Sequence, residues 1–491
     1  MAASAMSGCS SDRFTPVSAA NPWQDDYTEF ANMESKDKWG TYNVHDPAVT
    51  LVGDTYYMYS TDAIYFARPK EPMDTAEMRR RRRNREPMGN VQMRRSKDLV
   101  NWEFIGWALP EIPQEAVEWV KSFNPGMRGA ASNVWAPYMV DAGDGTYRLY
   151  FCVSAFGRKT SYIGLATAKS PEGPWTHRGC VVKTSPESPM NAIDPSIITD
   201  SNGRQWMHYG SYFGGIYCVE LNPATGLPVV EGDQGHLVAR RANYRRDNLE
   251  APEIIYNPEH DMYYLFGSYD PLQTTYNVRV ARSKTAEGPF VDFHGKEMSD
   301  TTDNYPILTA PYRFENHPGW VGTAHCGVFA DHSGQFYMAH QGRYAPESGM
   351  MDLHLRQVFF TKDGWPVVAP ERYTATPGRK FKSADLAGTW EIIRLQEPDN
   401  ERPARGGTSL FDNGWNVSKT HVFDEKGSIS GDSASTWALN EEEQQLNLTL
   451  NGENIDNLII FAGHDWEKEL DTVLFTGLDK DGRAVWGKRV I

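Results

Sequence analysis

The chain has 491 residues, of which 40% are hydrophobic, 23% charged and 12% aromatic, which is the composition of a folded globular protein rather than a disordered one. Lys and Arg total 49 against 64 Asp and Glu, and the net charge of −15 argues against a protein that binds nucleic acid. Because the sequence has no run of 18 apolar residues, we expect no membrane-spanning segment, and we expect a monomer.

Residues 1–30 are predicted to form an N-terminal tail. The tail begins MAASAMSGCSSD, where small residues precede Cys9 and Ser-Ser-Asp follows it, which resembles the junction of a bacterial lipoprotein. The apolar region of a signal peptide is not present in this stretch, so we expect the native export leader to be absent from this chain. We therefore expect a bacterial protein of the periplasm or cell surface, with Cys9 as the candidate lipid anchor.

A strand, a tight turn and a second strand recur five times between residues 43 and 344. The first copy, NVHDPAVTLVGDTYYMYSTD, contains Asp46-Pro47, and the later copies have in the same register Ala136-Pro137, Asp194-Pro195, Ala251-Pro252 and His325-Cys326. A second pair of strand-like runs follows each copy, so one repeat has four strands, as a propeller blade does. The sequence therefore predicts an all-β fold with a five-bladed β-propeller over residues 31–380. The alternative, two β-sandwiches with similar turns, gives no reason for five copies in one order.

An insertion around Pro69 to Asn90 interrupts the first repeat and includes the basic run MRRRRRNR, residues 78–85. We place this insertion on a loop at the edge of the blade. The run could contact an anion, but we favour a solvated loop that is paired with nearby acidic side chains. No nucleic-acid partner is predicted from it.

Beyond about Ser383 the strand-like runs lose the repeat pattern and are separated by Asp, Gly and Asn turns. Residues 381–491 are therefore predicted to form a smaller antiparallel domain, a β-barrel or β-sandwich. The rings of Trp390, Trp415 and Trp437 occupy strand-like positions, where packing in a core is the commoner use. We expect this domain to buttress the propeller; shaping the substrate channel or contacting polymer is the alternative.

The first residues of the five inner strands indicate a functional site, because inner strands line the central channel of a propeller. These positions bring together Asp46, Asp194 and His325, with Glu250 one residue before the fourth position, and the other two positions are alanines. Taken singly, an Asp before Pro is a common turn former, and a strand histidine commonly packs in a core. Their shared position in independent repeats favours a common site.

Three carboxyl groups in one pocket are typical of glycoside hydrolysis, which needs a protonated acid at the leaving oxygen and an ionised carboxylate opposite it. A third acid can raise the pKa of the proton donor by like-charge repulsion. Aromatic rings beside the same strands can stack on sugars or pack in the core. The predicted substrate-binding residues are His45, Asn133, Trp135, Phe156, Asn191, Ser211, Tyr212 and Phe213.

The repeated motifs resemble those of glycoside hydrolase family 43, in the order and spacing of its five-bladed propeller. The matching segments are His45-Asp46-Pro47, Trp135-Ala136-Pro137, Ala192-Ile193-Asp194-Pro195, Glu250-Ala251-Pro252 and Gly322-Thr-Ala-His325. The resemblance covers about residues 40–370, and the trailing β domain is similar to that of the family's two-domain endo-α-1,5-L-arabinanases. The resemblance implies that Asp46 is the general base, Glu250 the general acid, and Asp194 the residue that orients this acid and tunes its pKa.

The activity that the resemblance implies is inverting, single-displacement hydrolysis of arabinan, with endo action on α-1,5-L-arabinofuranosidic bonds. The carboxyl groups of Asp46 and Glu250 should then lie about 6.5–9.5 Å apart, to leave room for a water molecule. Two alternatives remain open. The first is an exo-acting α-L-arabinofuranosidase or β-xylosidase of the same family, and the second is a non-catalytic carbohydrate-binding propeller.

His325 matches the histidine that, in arabinanases of this type, faces a hydrated metal ion. The resemblance therefore implies one calcium ion near His325, coordinated mostly by water, although calcium usually prefers oxygen ligands. The sequence departs from the family pattern at Cys326, where a small or polar residue is expected.

Glu253 is a rival acid on the same predicted strand as Glu250. Side chains alternate between the two faces of a regular strand, so residues three apart lie on opposite faces. We therefore expect Glu253 to point away from the pocket, and the resemblance selects Glu250.

Overall fold

The structure, a computed structural model, describes residues 33–62, 90–241, 248–300, 303–398, 407–430 and 434–490. Cys9 and the arginine run at 78–85 lie outside the described residues, as does nearly all of the insertion in the first repeat. No helix in the described part of the chain is both long and apolar enough to cross a membrane.

Antiparallel sheets follow one another along the chain and form the five predicted blades. Blade one contains β1 (His45–Val52), β2 (Thr55–Thr61), β3 (Asn90–Ser96) and β4 (Glu103–Leu109). Blade two contains β5 (Trp135–Asp141), β6 (Tyr147–Val153), β7 (Ser161–Ala168) and β8 (Thr176–Thr184). Blade three contains β9 (Ser196–Thr199), β10 (Gln205–Tyr209), β11 (Ile216–Leu221) and β12 (His236–Ala239).

The last two blades complete the propeller. Blade four contains β13 (Leu249–Asn257), β14 (Met262–Tyr269), β15 (Asn277–Ser283) and β16 (Ile307–Thr309). Blade five contains β17 (Trp320–Val321), β18 (Cys326–Ala330), β19 (Phe336–Tyr344), β20 (Asp352–Phe360) and β21 (Pro366–Val368). The all-β propeller predicted from the repeats is therefore confirmed.

Helices are few among the described residues. The helix α1 (Gln114–Ser122) lies between blades one and two and packs Ala116 and Val120 into the core beside β6 and β7. The other helical segments of the described chain are the 3₁₀ turns Met33–Lys38, Ala345–Glu347 and Thr408–Gly414 and the short helix α2 (Ser383–Leu386).

Blade strands are buried by neighbouring blades on both faces, which explains their continuous apolar runs. In β6, YRLYFCV, every residue after Tyr147 is buried. Its ring and branched side chains enter cores on either side, with Phe151 in the core toward blade one and Tyr150 in the core toward blade three. A sheet that is covered on both faces has few exposed positions, so the alternation of apolar and polar residues along its strands is weak.

The ring of blades closes through its inner strands. β1 contacts β5 and β18, and β13 contacts β9 and β18, while β5 contacts β9. The segment before β1 also joins blade five, where Tyr42 forms a bridge with Asp352 and the Val44 N–H donates to the Met351 carbonyl at 3.0 Å. Backbone hydrogen bonds thus connect the start and the end of the propeller, and the inner strands converge around one channel.

The C-terminal part forms one curled sheet of seven strands in the order β23-β22-β28-β27-β26-β25-β24. The strands are β22 (Gly388–Arg394), β23 (Lys419–Phe423), β24 (Thr436–Asn440), β25 (Gln445–Leu450), β26 (Glu453–Asp465), β27 (Leu470–Leu478) and β28 (Ala484–Val490). Inside the curl, Phe423 stacks between Trp390 and Trp437, with ring centroids 5.3 and 5.5 Å apart. The predicted barrel-like form is confirmed, and these two tryptophans pack in a core.

The propeller and the C-terminal sheet share an apolar core. Trp486 of β28 packs edge-on against Tyr312 of the propeller at 5.2 Å between centroids, and the Arg356 guanidinium lies 5.1 Å from its ring. A backbone hydrogen bond also crosses the interface, from the Ile307 N–H to the Gly482 carbonyl at 3.0 Å. The two parts therefore pack as a continuous body rather than as separate domains on a linker.

Candidate active site

The backbone is left-handed at all five positions that the repeat singled out. The φ angle is 52° at Asp46, 58° at Asp194 and 55° at His325, and it is 37° at Ala136 and 54° at Ala251. Residues other than glycine rarely adopt this conformation, which costs of order 1–3 kcal/mol each and is concentrated at functional sites. The same strained conformation in every blade indicates that these positions form one functional set.

A β-bulge lies at the start of three inner strands. In β13, Glu250 pairs with Ser268 but Glu253 pairs with Phe266, so three residues of one strand oppose two of the other. The inner strands β1 and β5 shift register in the same way. The bulge cancels the alternation of the strand and turns Glu253 toward the channel. The prediction that Glu253 points away was wrong, because it assumed a regular strand.

Glu253 is more completely buried than the predicted catalytic acids. It lines a cavity of about 20 Å³ together with Asp46, Asp194 and His325, which is enough room for a water molecule. The Ser196 hydroxyl donates to Glu253 Oε2 at 2.9 Å. Burial raises the pKa of Glu253 to about 8 despite such hydrogen bonds. Glu253 is therefore a largely neutral buried acid near pH 7.

Asp46 is surrounded by groups that favour its ionised form. Its carboxylate lies 2.9 Å from Nδ1 of His325 and 2.8 Å from Nδ1 of His45, and the Thr61 hydroxyl donates to it at 2.7 Å. Burial alone would raise the pKa of Asp46, but the two imidazoles lower it well below its usual value. Gln341 Oε1 accepts the backbone N–H of Asp46 at 3.2 Å. An ionised, positioned carboxylate of this kind can accept a proton from water.

Glu250 has a different environment. Its two oxygens accept hydrogen bonds from the Ser211 hydroxyl and the Tyr276 hydroxyl, each at 2.7 Å. Burial raises the pKa of Glu250, the two hydrogen bonds and the charge of His325 lower it, and the charge of Asp46 raises it, with a net upward shift. Glu250 is therefore protonated to a higher pH than an ordinary glutamate, which suits a proton donor.

Asp194 connects the third and fourth inner strands. Its Oδ2 accepts the backbone N–H of Ala251 at 3.2 Å. Burial raises the pKa of Asp194 well above its usual value, His325 lowers it, and the charges of Glu250 and Asp46 raise it further. Repulsion acts on both members of a pair, so ionisation of either Asp194 or Glu250 disfavours ionisation of the other.

His325 binds the predicted base. Burial lowers its pKa, but the Asp46 carboxylate outweighs this effect and raises the pKa of His325 to about 9. In the described part of the chain, no three His, Cys, Asp or Glu side chains are grouped so as to hold a metal ion. Calcium takes roughly six to eight oxygen ligands, so the side chains present here do not by themselves fit a calcium ion.

The start of β5 lies beside the base. The Thr61 hydroxyl that contacts Asp46 also accepts the backbone N–H of Ala136 at 2.7 Å. The preceding residue, Trp135, is half-buried, and its indole N–H donates to Asn133 Oδ1 at 2.7 Å. The structure thus places both predicted residues, Asn133 and Trp135, at this mouth of the channel.

The loop after β10 lies beside the acid. Ser211 contacts Glu250 directly, and the backbone N–H of Tyr212 donates to the Leu249 carbonyl at 2.9 Å. Burial and the charge of Glu250 raise the pKa of Tyr212, so its ring lies near the acid. Phe213, next along the loop, lines a neighbouring surface groove of about 650 Å³ with Phe123.

Two further predicted residues, Phe156 and Asn191, lie in an exposed and in a buried position, respectively. The ring of Phe156 is 67% exposed on the loop after β6. Asn191 is buried, where its Oδ1 accepts the Ser161 hydroxyl at 2.6 Å and its carbonyl accepts the Ile193 N–H at 3.0 Å. Asn191 therefore shapes the turn that leads to Asp194.

Sequence reasoning missed three residues that contact the acids: Thr61, Tyr276 and Gln341. Thr61 could have been found, because it ends the second strand of the first copy and pairs with His45 across the hairpin. Tyr276 lies in the loop between β14 and β15, outside the repeated motifs, and Gln341 lies in β19, the second strand of the fifth copy. Only the folded arrangement brings these two residues to Glu250 and to the backbone of Asp46.

The propeller, its channel and its acids match a known family. The family model described as glycosyl hydrolases family 43 matches residues 40–366. The chain belongs to glycoside hydrolase family 43. A second model, described as a C-terminal lipocalin-like domain, matches residues 370–487. The two matches together span nearly all of the described chain.

Similar proteins include enzymes with two modes of action. The chain is 29% identical to an extracellular endo-α-(1→5)-L-arabinanase of Thermotoga petrophila, over 91% of this chain and 93% of that protein. It is 30% identical to an extracellular exo-α-(1→5)-L-arabinofuranosidase of Cellvibrio japonicus, over 69% of this chain and 90% of that protein. The crystal structure of an endo-1,5-α-L-arabinanase from T. petrophila gives a TM-score of 0.72 at 26% identity, covering 92% of this chain and 99% of that one.

Proposed function

We propose that the protein is an endo-acting arabinanase that hydrolyses α-1,5-L-arabinofuranosidic bonds by inverting single displacement. The observation that carries this proposal is the pair of carboxyl groups in one channel mouth with different neighbours: two imidazoles contact Asp46 and lower its pKa, whereas Glu250 accepts hydrogen bonds from two hydroxyl groups and burial raises its pKa. Such a divergence separates the base from the acid in a glycosidase. Family membership supports a glycosidic bond as the target.

The proposed reaction uses both carboxyl groups in one step. Asp46 accepts a proton from a water molecule as its oxygen attacks the anomeric carbon. Glu250 gives its proton to the departing glycosidic oxygen on the opposite face of the sugar, so the old bond breaks as the new one forms. An ionised Asp194 raises the pKa of Glu250 through like-charge repulsion. A gap of about 6.5–9.5 Å between the carboxyl groups of Asp46 and Glu250 is expected for this reaction.

The match over both domains supports endo action, since the endo-acting relative is similar along nearly the whole chain and the exo-acting relative mainly along the propeller. The second candidate is exo action as an α-L-arabinofuranosidase, which the similarity to the exo-acting relative favours. A β-xylosidase and a non-catalytic carbohydrate-binding propeller have no such relative among these proteins, but the same assay tests them.

The experiment is a digest of linear α-1,5-arabinan, with soluble products separated by size in the first minutes. A ladder of oligosaccharides is expected from endo action, and the Glu250→Gln variant should give no ladder. If arabinose is the sole early product, the enzyme is exo-acting rather than endo-acting. If arabinan is not cleaved but xylan is, the proposed substrate is wrong. If neither polymer is cleaved but both are bound, the protein is a carbohydrate-binding module.

We also propose one calcium ion near His325, held mostly by water, as the family resemblance implies. No catalytic step is assigned to the ion. Equilibrium dialysis against calcium should then show one ion per chain, and none for His325→Ala. Equal binding by both proteins would place the ion elsewhere.

We further propose that the enzyme acts outside the cytoplasm, because both relatives carry the word extracellular in their names. Cys9 is the proposed lipid anchor. Fractionation of bacteria that express the gene with its native upstream sequence should place the protein in the membrane pellet, and Cys9→Ser should release it. A soluble protein with an unmodified Cys9 thiol would contradict the anchor.

A further inference from the structure

A large groove lies at the other end of the blades from the acids. The acids sit where inner strands begin, whereas this groove is built from the turns where β13 and β18 end and from β25 and β26 of the C-terminal sheet. Its volume is about 1010 Å³, at the upper end of the range for small-molecule sites. We call it the interdomain groove and define it by Tyr256, Phe329, Phe336, Phe360, Gln445 and Asn457.

The propeller wall of the interdomain groove carries aromatic rings in fixed orientations. Phe360 is half-buried and packs against Phe336 at 5.5 Å and against Tyr264 at 5.3 Å between centroids. Tyr256 is also half-buried and packs against Tyr263 at 4.8 Å. Rings that are already held by neighbours lose little conformational freedom when a ligand stacks on them.

The opposite wall is uncharged and combines polar side chains with the apolar side chain of Ile459. Gln445 and Asn457 of the C-terminal sheet supply amide groups, which can both donate and accept hydrogen bonds. At the rim, the Lys362 ammonium is paired with Glu443 at 2.7 Å. Glu259 and His260 are the other ionisable groups of the lining. In a chain of net charge −15, this groove has no surplus positive charge to attract an anion.

Rings facing neutral amides fit a neutral sugar chain better than a lipid or a polyanion. Sugars present C–H faces that stack on rings and hydroxyl groups that bind amides, whereas an acyl chain would leave the amides without partners. We propose that the interdomain groove binds a segment of neutral polysaccharide, of the same class as the substrate of the catalytic channel. The identity of that polymer rests on the proposed function.

The groove needs both domains, because the rings come from the propeller and the amides from the C-terminal sheet. A polymer that is held there stays near the enzyme between cleavage events, so its concentration at the catalytic channel rises without any new contact in that channel. Binding in the groove therefore favours long substrates over short ones.

The test uses the full-length protein with Glu250→Gln, so that polymer binding is measured without cleavage. Tyr256→Ala and Gln445→Ala are added separately, and Tyr147→Ala serves as the matched control because it removes a half-buried tyrosine from blade two. Retention on linear arabinan is measured by native affinity electrophoresis. We expect each groove variant to bind polymer about tenfold more weakly, and the control to bind as the parent does.

A second readout separates the groove from the catalytic channel. In proteins that retain Glu250, the ratio of kcat/KM on arabinan to kcat/KM on arabinotriose should fall about tenfold in the groove variants, because only the polymer spans both sites. An unchanged ratio, or an equal loss on both substrates, overturns the proposal. If Tyr256→Ala does not fold, as judged by thermal unfolding, Gln445→Ala decides the matter.

Failure of the proposed function gives a different result. If the wild-type enzyme does not cleave arabinan, electrophoresis is repeated with xylan and with galactan as neutral probes. Weaker retention of either probe by the groove variants upholds the interdomain groove as a polysaccharide site, whereas retention equal to that of the parent rejects it. Retention of anionic polygalacturonate in preference to the neutral polymers also rejects it.

Discussion

Glu250 and Asp46 share one channel mouth, but their neighbours hold them in different protonation states. Two imidazoles and a hydroxyl surround Asp46, whereas Glu250 has two neutral hydroxyl donors and a nearby negative charge. The division between base and acid is thus set by which side chains the fold places beside each carboxyl group, and substitutions can test it one residue at a time.

The first prediction distinguishes the two glutamates of β13. Glu250→Gln removes the proton donor while keeping the shape, so kcat on arabinan should fall about 10²–10⁴-fold with little change in KM. Glu253→Gln changes a more completely buried acid, and its loss should be far smaller. Steady-state kinetics of both variants decide the assignment, and a larger loss for Glu253→Gln would reverse it.

The second prediction concerns pH. Glu250 must be protonated to act, so activity is lost as pH rises through its raised pKa, and Asp46 must be ionised, so activity is lost only when pH falls through its lowered pKa. The Tyr276 hydroxyl lowers the pKa of Glu250 by binding its ionised form. Tyr276→Phe should therefore move the alkaline limb of the kcat/KM profile to higher pH. A shift to lower pH, or a shift of the acid limb alone, would show that Glu250 is not the acid.

The predicted acids came from the sequence because they stand in repeated motifs, and repetition defines equivalent positions without a structure. Tyr276 stands in no motif, and its contact with Glu250 depends on the path of a loop, so the sequence could not indicate it. Gln341 lies in the second strand of the fifth copy, but its contact with the backbone of Asp46 crosses from blade five to blade one and needs the folded arrangement. Phe156 stays a prediction, because its ring is exposed on a loop and a ring that stacks on a sugar must be accessible.

At the scale of strands, the close approach of the inner strands to one another fixes the positions of the acidic side chains. Gly327 of β18 lies against β1, where a Cβ atom at this position would come within 2.7 Å of the Pro47 carbonyl oxygen. Asp46 precedes that proline in a strained left-handed conformation, so a small movement of β1 changes the direction of its carboxylate. The narrow axis of the propeller thus limits where the base can lie.

The third prediction follows from this contact. Gly327→Ala forces β18 and β1 apart, which should cost about 1–3 kcal/mol of stability and also lower kcat, because Asp46 is displaced. Gly129→Ala is the control, since a Cβ atom there meets nothing within 4 Å. Thermal unfolding and kcat are measured on both. A Gly327→Ala enzyme with unchanged melting temperature and kcat would show that the inner strands are not tightly packed.

Blade number and strand order could be predicted because each blade repeats one pattern of strand and turn. The bulge in β13 could not be predicted. A bulge is one extra residue in the pairing of two strands, and the motif alone does not identify the partner strand. That omission led directly to the wrong direction for Glu253. Alternation is a safe rule for a strand only after its register with the neighbour is known.

At the scale of the whole molecule, the propeller and the C-terminal sheet stabilise one another through a shared core. Trp486 is completely buried among propeller residues, and Lys488 on the same strand is buried against Glu371 of the propeller's last segment at 3.0 Å. The predicted buttressing role agrees with these contacts, and the interdomain groove requires the same association.

The fourth prediction tests the shared core. Trp486→Ala leaves a large cavity between the two parts, which should cost about 3–5 kcal/mol and lower the melting temperature of the whole chain in one transition. Val422→Ala, at a side chain that is 42% exposed, should change it little. Calorimetry measures both. Two separate transitions in the wild-type protein would contradict the single body described here.

The most direct test of the central claim, that Asp46 activates water while Glu250 protonates the leaving oxygen, is the anomeric configuration of the first product. A short α-1,5-arabino-oligosaccharide is cleaved with enough enzyme to outpace mutarotation, and the new reducing end is followed by proton NMR. The account predicts that the β-anomer appears first, because water attacks from the face opposite the bond that breaks. First appearance of the α-anomer would show retention, with a covalent sugar intermediate, and would contradict the roles assigned to both carboxyl groups.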